Sequence, residues 1–484
     1  MTATIWRRPL RPPTVPVVVG AGAAVVALGA LGGYLKGSAT VELGALALVA
    51  VAAIGYLAVW LSPAAWVSLA VCGSVLSGNA KQVHLPVSPD RLFMIAAVSA
   101  MVLRLPNTRS DRAIAWKPTH VFVALAGGYA VVNAYTAGTL TSTEGLFAIL
   151  DRLGIVPMLV FVLAPLIFGT RRNRDLLLVA LVCLGGYLAL TAFAEGLHLN
   201  ALVWPKYILD PTVGIHADRA RGPFVEAVAD GLALYACAVG AAVAAMTWSS
   251  RRARTAAVLV LIACMIGTAF TLTRAVWLAT VVATILAMTL SAETRRYLVP
   301  MLAVGAVGVV GALVFVPGFA TKTSNRTNDV SPVWERYATD AAAIRAVEAH
   351  PLFGVGWDTW VNQHKNVEYL RQGDTYPLTH SVGTIQIHNV PLSHAAELGL
   401  VGVTLWVLAL GGALMGAVFR PGPAELDPWR LGMIALFVNW LVIALFGPLS
   451  YAMPNLLLWL WAGIAGLGHF STPKPDFDRA MSDT

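Results

Sequence analysis

The chain has 484 residues, 57% hydrophobic and only 12% charged, with a mean hydropathy of +0.71. Soluble globular proteins carry roughly 25% charged residues, so the composition excludes that class and specifies an all-α integral membrane protein. The net charge of +8 sits in short arginine clusters between apolar runs, without the basic stripe and interleaved aromatics of a nucleic-acid binder, so no nucleic acid is expected as partner.

Allowing about twenty apolar residues per span predicts helices near 14–35, 41–61, 63–78, 91–105, 118–137, 153–169, 176–195 and 224–247. Further spans are predicted near 255–272, 274–291, 298–317, 391–418, 431–449 and 451–470, making about fourteen, within a range of twelve to fourteen. The first follows Trp6-Arg7-Arg8 and is too long for the apolar core of a signal peptide, so it reads as a retained span. Residues 141–152 have a polar face and predict an interfacial helix. The 255–291 run is nearly twice a bilayer if unbroken, so it splits at Arg274. Cys72, Cys183, Cys237 and Cys264 all lie in apolar runs and imply no disulfide framework.

The basic clusters give the orientation, because Lys and Arg are retained on the cytoplasmic side. Arg7/Arg8/Arg11, Arg104/Arg109/Arg112/Lys117, Arg171/Arg172/Arg174, Arg251/Arg252/Arg254, Arg295/Arg296, Arg420/Arg430 and Lys474/Arg479 all fall on one side of a fourteen-span chain. Both termini are then cytoplasmic. The organisation expected is an N-terminal bundle (1–316), an extracytoplasmic loop (317–390), C-terminal helices (391–470) and a cytoplasmic tail (471–484). In the loop, Ser331-Pro332 starts a helix that ends near His350-Pro351, with Trp334, Tyr337, Ala341 and Ile344 as its apolar line.

Several arginines then share the outer face with one histidine: Arg219 and Arg221 in the 196–223 loop, Arg274 at a span boundary, Arg336 and Arg345 on the loop helix, and His388. Planar guanidinium forks suit bidentate phosphate contacts, and a site at the bilayer edge suits a lipid-linked phosphate. An imidazole titrates near neutrality, so His388 is a candidate general base; Asn389 can hydrogen-bond a substrate or fix the local backbone. Glu397 can orient a partner or pair with an arginine, and His380 and His394 read as structural. No Cys/His cluster at metal spacing and no Gly-rich phosphate loop occurs, so neither metal nor cofactor is expected.

His388-Asn389, nine residues, Gly399, two residues and Gly402 resemble the ligase motif of the bacterial O-antigen ligase and polymerase superfamily of membrane glycosyltransferases. Arg221-Gly222-Pro-Phe224, Thr271-Leu-Thr-Arg274-Ala-Val-Trp277, and Arg336 followed by His350-Pro-Leu-Phe-Gly354-Val-Gly356-Trp357 agree in order. The resemblance covers roughly 215–405. It implies metal-independent, inverting transfer of a glycan from a polyprenyl-diphosphate carrier to a glycan, glycolipid or protein acceptor, at the outer face of the bacterial inner membrane. In that scheme His388 deprotonates the acceptor, while Arg274, Arg336 and Arg221 hold the diphosphate. Where relatives commonly carry an Asn-Pro-Asn-like stretch, this chain has Val225-Glu226-Ala-Val-Ala-Asp230, so Glu226 or Asp230 is a candidate substitute. Ligase, repeat-unit polymerase and oligosaccharyltransferase stay open. A transporter would instead place ionisable groups near the bilayer midplane in symmetric halves, and here they cluster at one surface.

Overall fold

A computed structural model describes residues 61–85, 87–102, 117–315, 319–373 and 385–468. Predicted spans 14–35 and 41–61 apart from Leu61, His380, the tail 471–484, the first and last basic clusters and Arg104, Arg109 and Arg112 therefore lie outside the described residues. Within them the regular structure is entirely helical, so the all-α part of the predicted fold class stands. The main helices are α1 (Pro63–Gly73), α2 (Pro89–Val102), α3 (Pro118–Thr136), α4 (Ile155–Ile167), α5 (Arg171–Gly196), α6 (Ala227–Thr247) and α7 (Arg251–Phe270). They continue with α8 (Arg274–Leu290), α9 (Leu298–Phe315), α10 (Phe319–Asn328), α11 (Ser331–Ala349), α12 (Val390–Val418), α13 (Asp427–Ala444) and α14 (Ala452–Ala465).

Five helices among the described residues are long and apolar enough to cross a membrane, or six if one bent pair counts as a single span. The expected count of about fourteen is thus not confirmed. Part of the shortfall is geometric: the stretches Pro63–Leu76, Arg274–Leu290 and Ala452–Ala465 are apolar helices shorter than a full span. The predicted interfacial helix is also different. Thr143–Phe147 and a π turn, Ala148–Leu153, run into α4 at 41° through Gly154, whose φ is 97°.

Side-chain caps start several helices, since the first N–H groups of a helix have no partner inside it. Ser62 accepts from Ala65 N at 3.2 Å to open α1, and Thr170 accepts from Asn173 N at 3.3 Å to open α5. The α5 arginines tie one end of the bundle together: Arg171 donates to the Thr247 carbonyl at 2.7 Å, and Arg174 pairs with Glu425 at 2.6 Å. Helix α6 is the centre of the bundle, packed by α5, α7 and α13. Its small residues let neighbours approach closely, as where Leu181 of α5 lies over Gly240.

Helix α11 has the predicted bounds but not the predicted face. Its buried line is Ala338, Thr339, Ala342, Ala343 and Ala346, while Trp334, Tyr337 and Ile344 are exposed. The alanines win because α12 and the Lys365–Arg371 helix pack so closely on α11 that only small side chains fit.

Candidate functional site

The predicted 255–291 split is real, and the break shapes one end of the bundle. Helix α7 ends at Phe270; Thr271 and Thr273 turn the chain, and α8 begins on Arg274 itself. The Thr271 hydroxyl donates to the Thr268 carbonyl at 2.8 Å, and Trp277 Nε1 donates to the same carbonyl at 3.2 Å. Arg274 is thereby held at a helix start, where its Nη2 donates to the Asp329 carbonyl at 2.9 Å. Asp329 in turn accepts from Ser331 N at 3.0 Å and from the Ser331 hydroxyl at 2.6 Å, so Arg274 is fixed to the entry of α11.

One and a half turns along α11, Arg336 donates through Nε to the Phe446 carbonyl at 3.0 Å, just past the end of α13. Burial lowers its pKa, and the neighbouring positive charge of Arg274 lowers it further. Arg274 and Arg336, both fastened around α11, make a candidate anion site, with Asp340 and Glu335 offsetting part of the Arg336 charge. Arg219 joins them, its Nη1 lying 3.4 Å from the Thr273 hydroxyl one residue before Arg274.

Arg221 behaves differently from the expected phosphate contact. It is 1% exposed, and its guanidinium donates to the carbonyls of Ile208 (2.8 and 3.1 Å), Asp210 (2.5 Å), Val213 (2.7 Å) and Ile215 (3.4 Å). A fork filled by backbone oxygens organises the loop that carries Arg219. The loop is anchored further where Ala220 N donates to the Phe270 carbonyl at 3.0 Å.

Glu226, one candidate substitute for the missing asparagine stretch, caps α6 by accepting from Val228 N at 3.1 Å. Burial pushes its carboxyl up to about 7, against the opposing pull of Arg219 and Arg221. Because the folded carboxyl titrates above the ordinary 4.5, its contribution to stability is full below that value and is lost as pH rises through about 7. Glu226→Gln is expected to remove this loss, so that thermal unfolding in detergent loses less stability than wild type across that window. Parallel pH profiles for the two proteins would contradict it. Asp230, the other candidate, is fully buried, with both carboxylate oxygens lacking a hydrogen bond among the described residues.

His388 precedes α12 and is half-buried. Asn389 is the N-cap of that helix, its Oδ1 accepting from Leu392 N at 3.1 Å, so of its two predicted uses the structure shows the backbone one. Upstream, Asn366 Nδ2 holds the Ile385 carbonyl at 3.1 Å. On either side of His388, Gln386, Ile387 and Val390 line a cavity with Pro448, Leu449 and Ser450, and Pro448 is two residues beyond the Phe446 carbonyl that binds Arg336.

The motif glycines have a structural reason that spacing does not reveal. Helix α12 is broken at Gly399, with φ 70° and ψ −179°, a conformation that only glycine adopts without strain. The segment Pro351–Gly356 fills the opening. Val355 N and Gly356 N donate to the carbonyls of Ala396 (2.9 Å) and Glu397 (3.0 Å), while Leu400 N donates to the Pro351 carbonyl at 2.8 Å. Gly354, also at positive φ, would place a Cβ 2.5 Å from the Glu397 backbone. Helix α3 clamps the same segment: Tyr129 donates to the Leu398 carbonyl at 2.8 Å, and Asn133 bridges the Phe353 carbonyl (2.9 Å) and Trp357 N (2.7 Å).

Glu397, fully buried beside this break, pairs with Arg152 at 2.5 Å, and Asp358 lies 3.4 Å from the same Nη2. The Arg152 guanidinium stacks over Trp357, 4.3 Å from the ring centroid. Burial raises the Asp358 carboxyl and Arg152 draws it back down. Arg152 was missed in the sequence because it is 245 residues from its partner and sits at the end of a segment read as interfacial. Arg345 holds the Tyr369 carbonyl (2.7 and 3.0 Å). Among the described residues no group of three or more metal-ligating side chains gathers.

The apolar helices define the class as an integral membrane protein, with Arg274, Arg336 and His388 as its candidate site. Residues 257–407, less than half of the chain, match the family model for O-antigen ligase, a similarity that supports a ligase- or polymerase-like membrane glycosyltransferase. Arg274, Arg336, His388, Asn389, Glu397 and both motif glycines lie inside the match; Arg152, Arg219 and Arg221 lie outside it. No curated protein matches the chain.

Proposed function

We propose that the protein transfers a glycan from a polyprenyl-diphosphate carrier to an acceptor hydroxyl at the outer face of the bacterial inner membrane, by a single metal-independent displacement. The observation that carries this reading is the pairing of Arg274 with Arg336 at the junction of α8, α11 and the end of α13. Arg336 feels the positive charge of Arg274, offset in part by Asp340 and Glu335, and the planar forks of the two arginines suit the oxygens of a diphosphate ester.

His388 takes the proton of the acceptor hydroxyl as its oxygen attacks the anomeric carbon. The bond from that carbon to the diphosphate oxygen breaks, the electron pair leaves with the carrier lipid, and the anomeric configuration inverts. Arg274 and Arg336, with Arg219 beside them, stabilise the charge that develops on the leaving diphosphate. Asn389 caps the helix that presents His388, Arg221 shapes the loop behind Arg219, and Glu397 holds the break in α12 through Arg152. The partners in this reading are the lipid-linked glycan, a glycan, glycolipid or protein acceptor, and the surrounding lipid.

In cells, His388→Ala is expected to accumulate lipid-linked glycan and to lose the corresponding surface glycan. Unchanged pools with an expressed, folded variant would remove His388 from the mechanism. Glycan chain lengths in the same material separate transfer of finished chains from polymerisation of repeat units.

A further inference from the structure

The network around Arg152 leaves a set of polar atoms that the proposed chemistry does not use. Arg152 Nε and Trp360 Nε1 are buried and make no hydrogen bond among the described residues, and His394 is buried with one ring nitrogen against the Val390 carbonyl and the other unpaired. Trp360 and His394 are each 2% exposed. Buried donors and acceptors are almost always paired, so several orphans at one place call for an occupant. All three residues line the same cavity, which also touches Gln386, Ser393 and Leu449. His394 is held there by Trp357, edge-on at 5.4 Å, and by Trp406 at 4.7 Å.

The size of the cavity limits the occupant. A volume of about 20 Å³ admits one water-sized group and no sugar ring. Chemistry limits it further. Arg152 and Trp360 can only donate, whereas a neutral imidazole donates at one nitrogen and accepts at the other. A group that accepts from an arginine and an indole while donating to a histidine is an O–H, that of a water or of a ligand hydroxyl that displaces it. An anion would satisfy the donors and leave the imidazole acceptor orphaned, and a cation would meet Arg152.

We infer that this cavity is a hydroxyl-binding subsite for the acceptor: it takes one acceptor hydroxyl on Arg152, Trp360 and His394 and so seats the acceptor beside His388. The inference rests on the glycosyltransferase reading. The position fits, because the cavity wall includes Ile387 and Val390, which bracket the His388-Asn389 pair, and faces the 448–450 loop that follows the Arg336 contact. The diphosphate would lie on the arginine side of that loop, the acceptor on the histidine side.

The test is steady-state transfer by the purified full chain, with lipid-linked glycan as donor and the acceptor fraction extracted from the envelope of the producing cells. Trp360→Phe keeps the ring and removes the N–H. It is expected to raise the acceptor KM roughly 5- to 10-fold, the loss of one hydrogen bond, with the donor KM and kcat unchanged. Leu449→Phe, which fills the cavity from an unrelated loop, is expected to raise the acceptor KM in the same way and provides the measurement should Trp360→Phe fold poorly. An unchanged acceptor KM in folded variants would mean that the cavity holds only water, and would overturn the subsite. A fall in kcat alone, or an equal rise in the donor KM, would overturn it too. Absence of transfer by wild type would instead refute the glycosyltransferase reading on which it rests.

Discussion

Arg274→Ala is expected to lower glycan transfer about 10²- to 10³-fold, with the protein still inserted and folded. The size follows from where charge develops. As the carrier diphosphate leaves, its oxygens gain negative charge in a partly desolvated site, where a preorganised cation is worth more than in water. Arg274 is preorganised by its place as the first residue of α8 and by its bond to the Asp329 carbonyl. Lysine at this position keeps the charge and loses the planar fork, so Arg274→Lys is expected to recover part of the rate. Initial rates against donor concentration check this: the loss falls mainly on kcat, because the interaction strengthens in the transition state. A kcat within about twofold of wild type would take Arg274 out of the site, twofold being less than one ordinary hydrogen bond is worth.

Gly399→Ala is expected to have the largest effect on the fold itself. A residue with a Cβ at this φ and ψ is strained by about 1–3 kcal/mol before any contact is counted. The added methyl would also run into the Leu352 carbonyl and the Phe353 backbone, so the Pro351–Gly356 segment could not stay seated in the break. Losing that seat undoes the backbone bonds to Ala396, Glu397 and Leu400 and leaves the Arg152–Glu397 pair without its cover. A buried pair that is opened in this way is strongly destabilising. Thermal unfolding in detergent should fall by several degrees and transfer should be lost with it, whereas Gly411→Ala, where a Cβ would meet nothing within 4 Å, should leave both close to wild type. A Gly399→Ala protein as stable as wild type would show that the break is not the fold's resting state.

What could be read from the sequence, and what could not, divides by the range of the interaction. The split at Arg274 and the bounds of α11 were legible because a charge inside an apolar run and a Ser-Pro helix start act on their own neighbours. The buried face of α11 was not, because small residues carry little hydrophobic signal and win only through the close approach of α12. Arg221 shows the same limit: its place in an Arg-Gly-Pro-Phe element suggested a ligand contact, but four carbonyls of the 208–215 loop use its donors. Gly399 and Gly402 were legible as a spacing and as close packing, while the broken helix that requires the first of them depends on a segment more than forty residues upstream. The span count is not confirmed, partly because hydropathy does not see where a helix stops short of a full crossing, as it does for Arg274–Leu290 among the described residues.

The central claim is that His388 activates the acceptor beside an arginine-bound diphosphate. The most direct measurement is a single turnover of purified wild type and His388→Ala with excess enzyme over lipid-linked glycan, following release of the carrier diphosphate with acceptor present. Wild type should release carrier and form an inverted glycosidic bond; His388→Ala should bind the donor equally well and transfer at least about a hundredfold more slowly, the ordinary contribution of a general base. Transfer by His388→Ala at the wild-type rate would contradict the account.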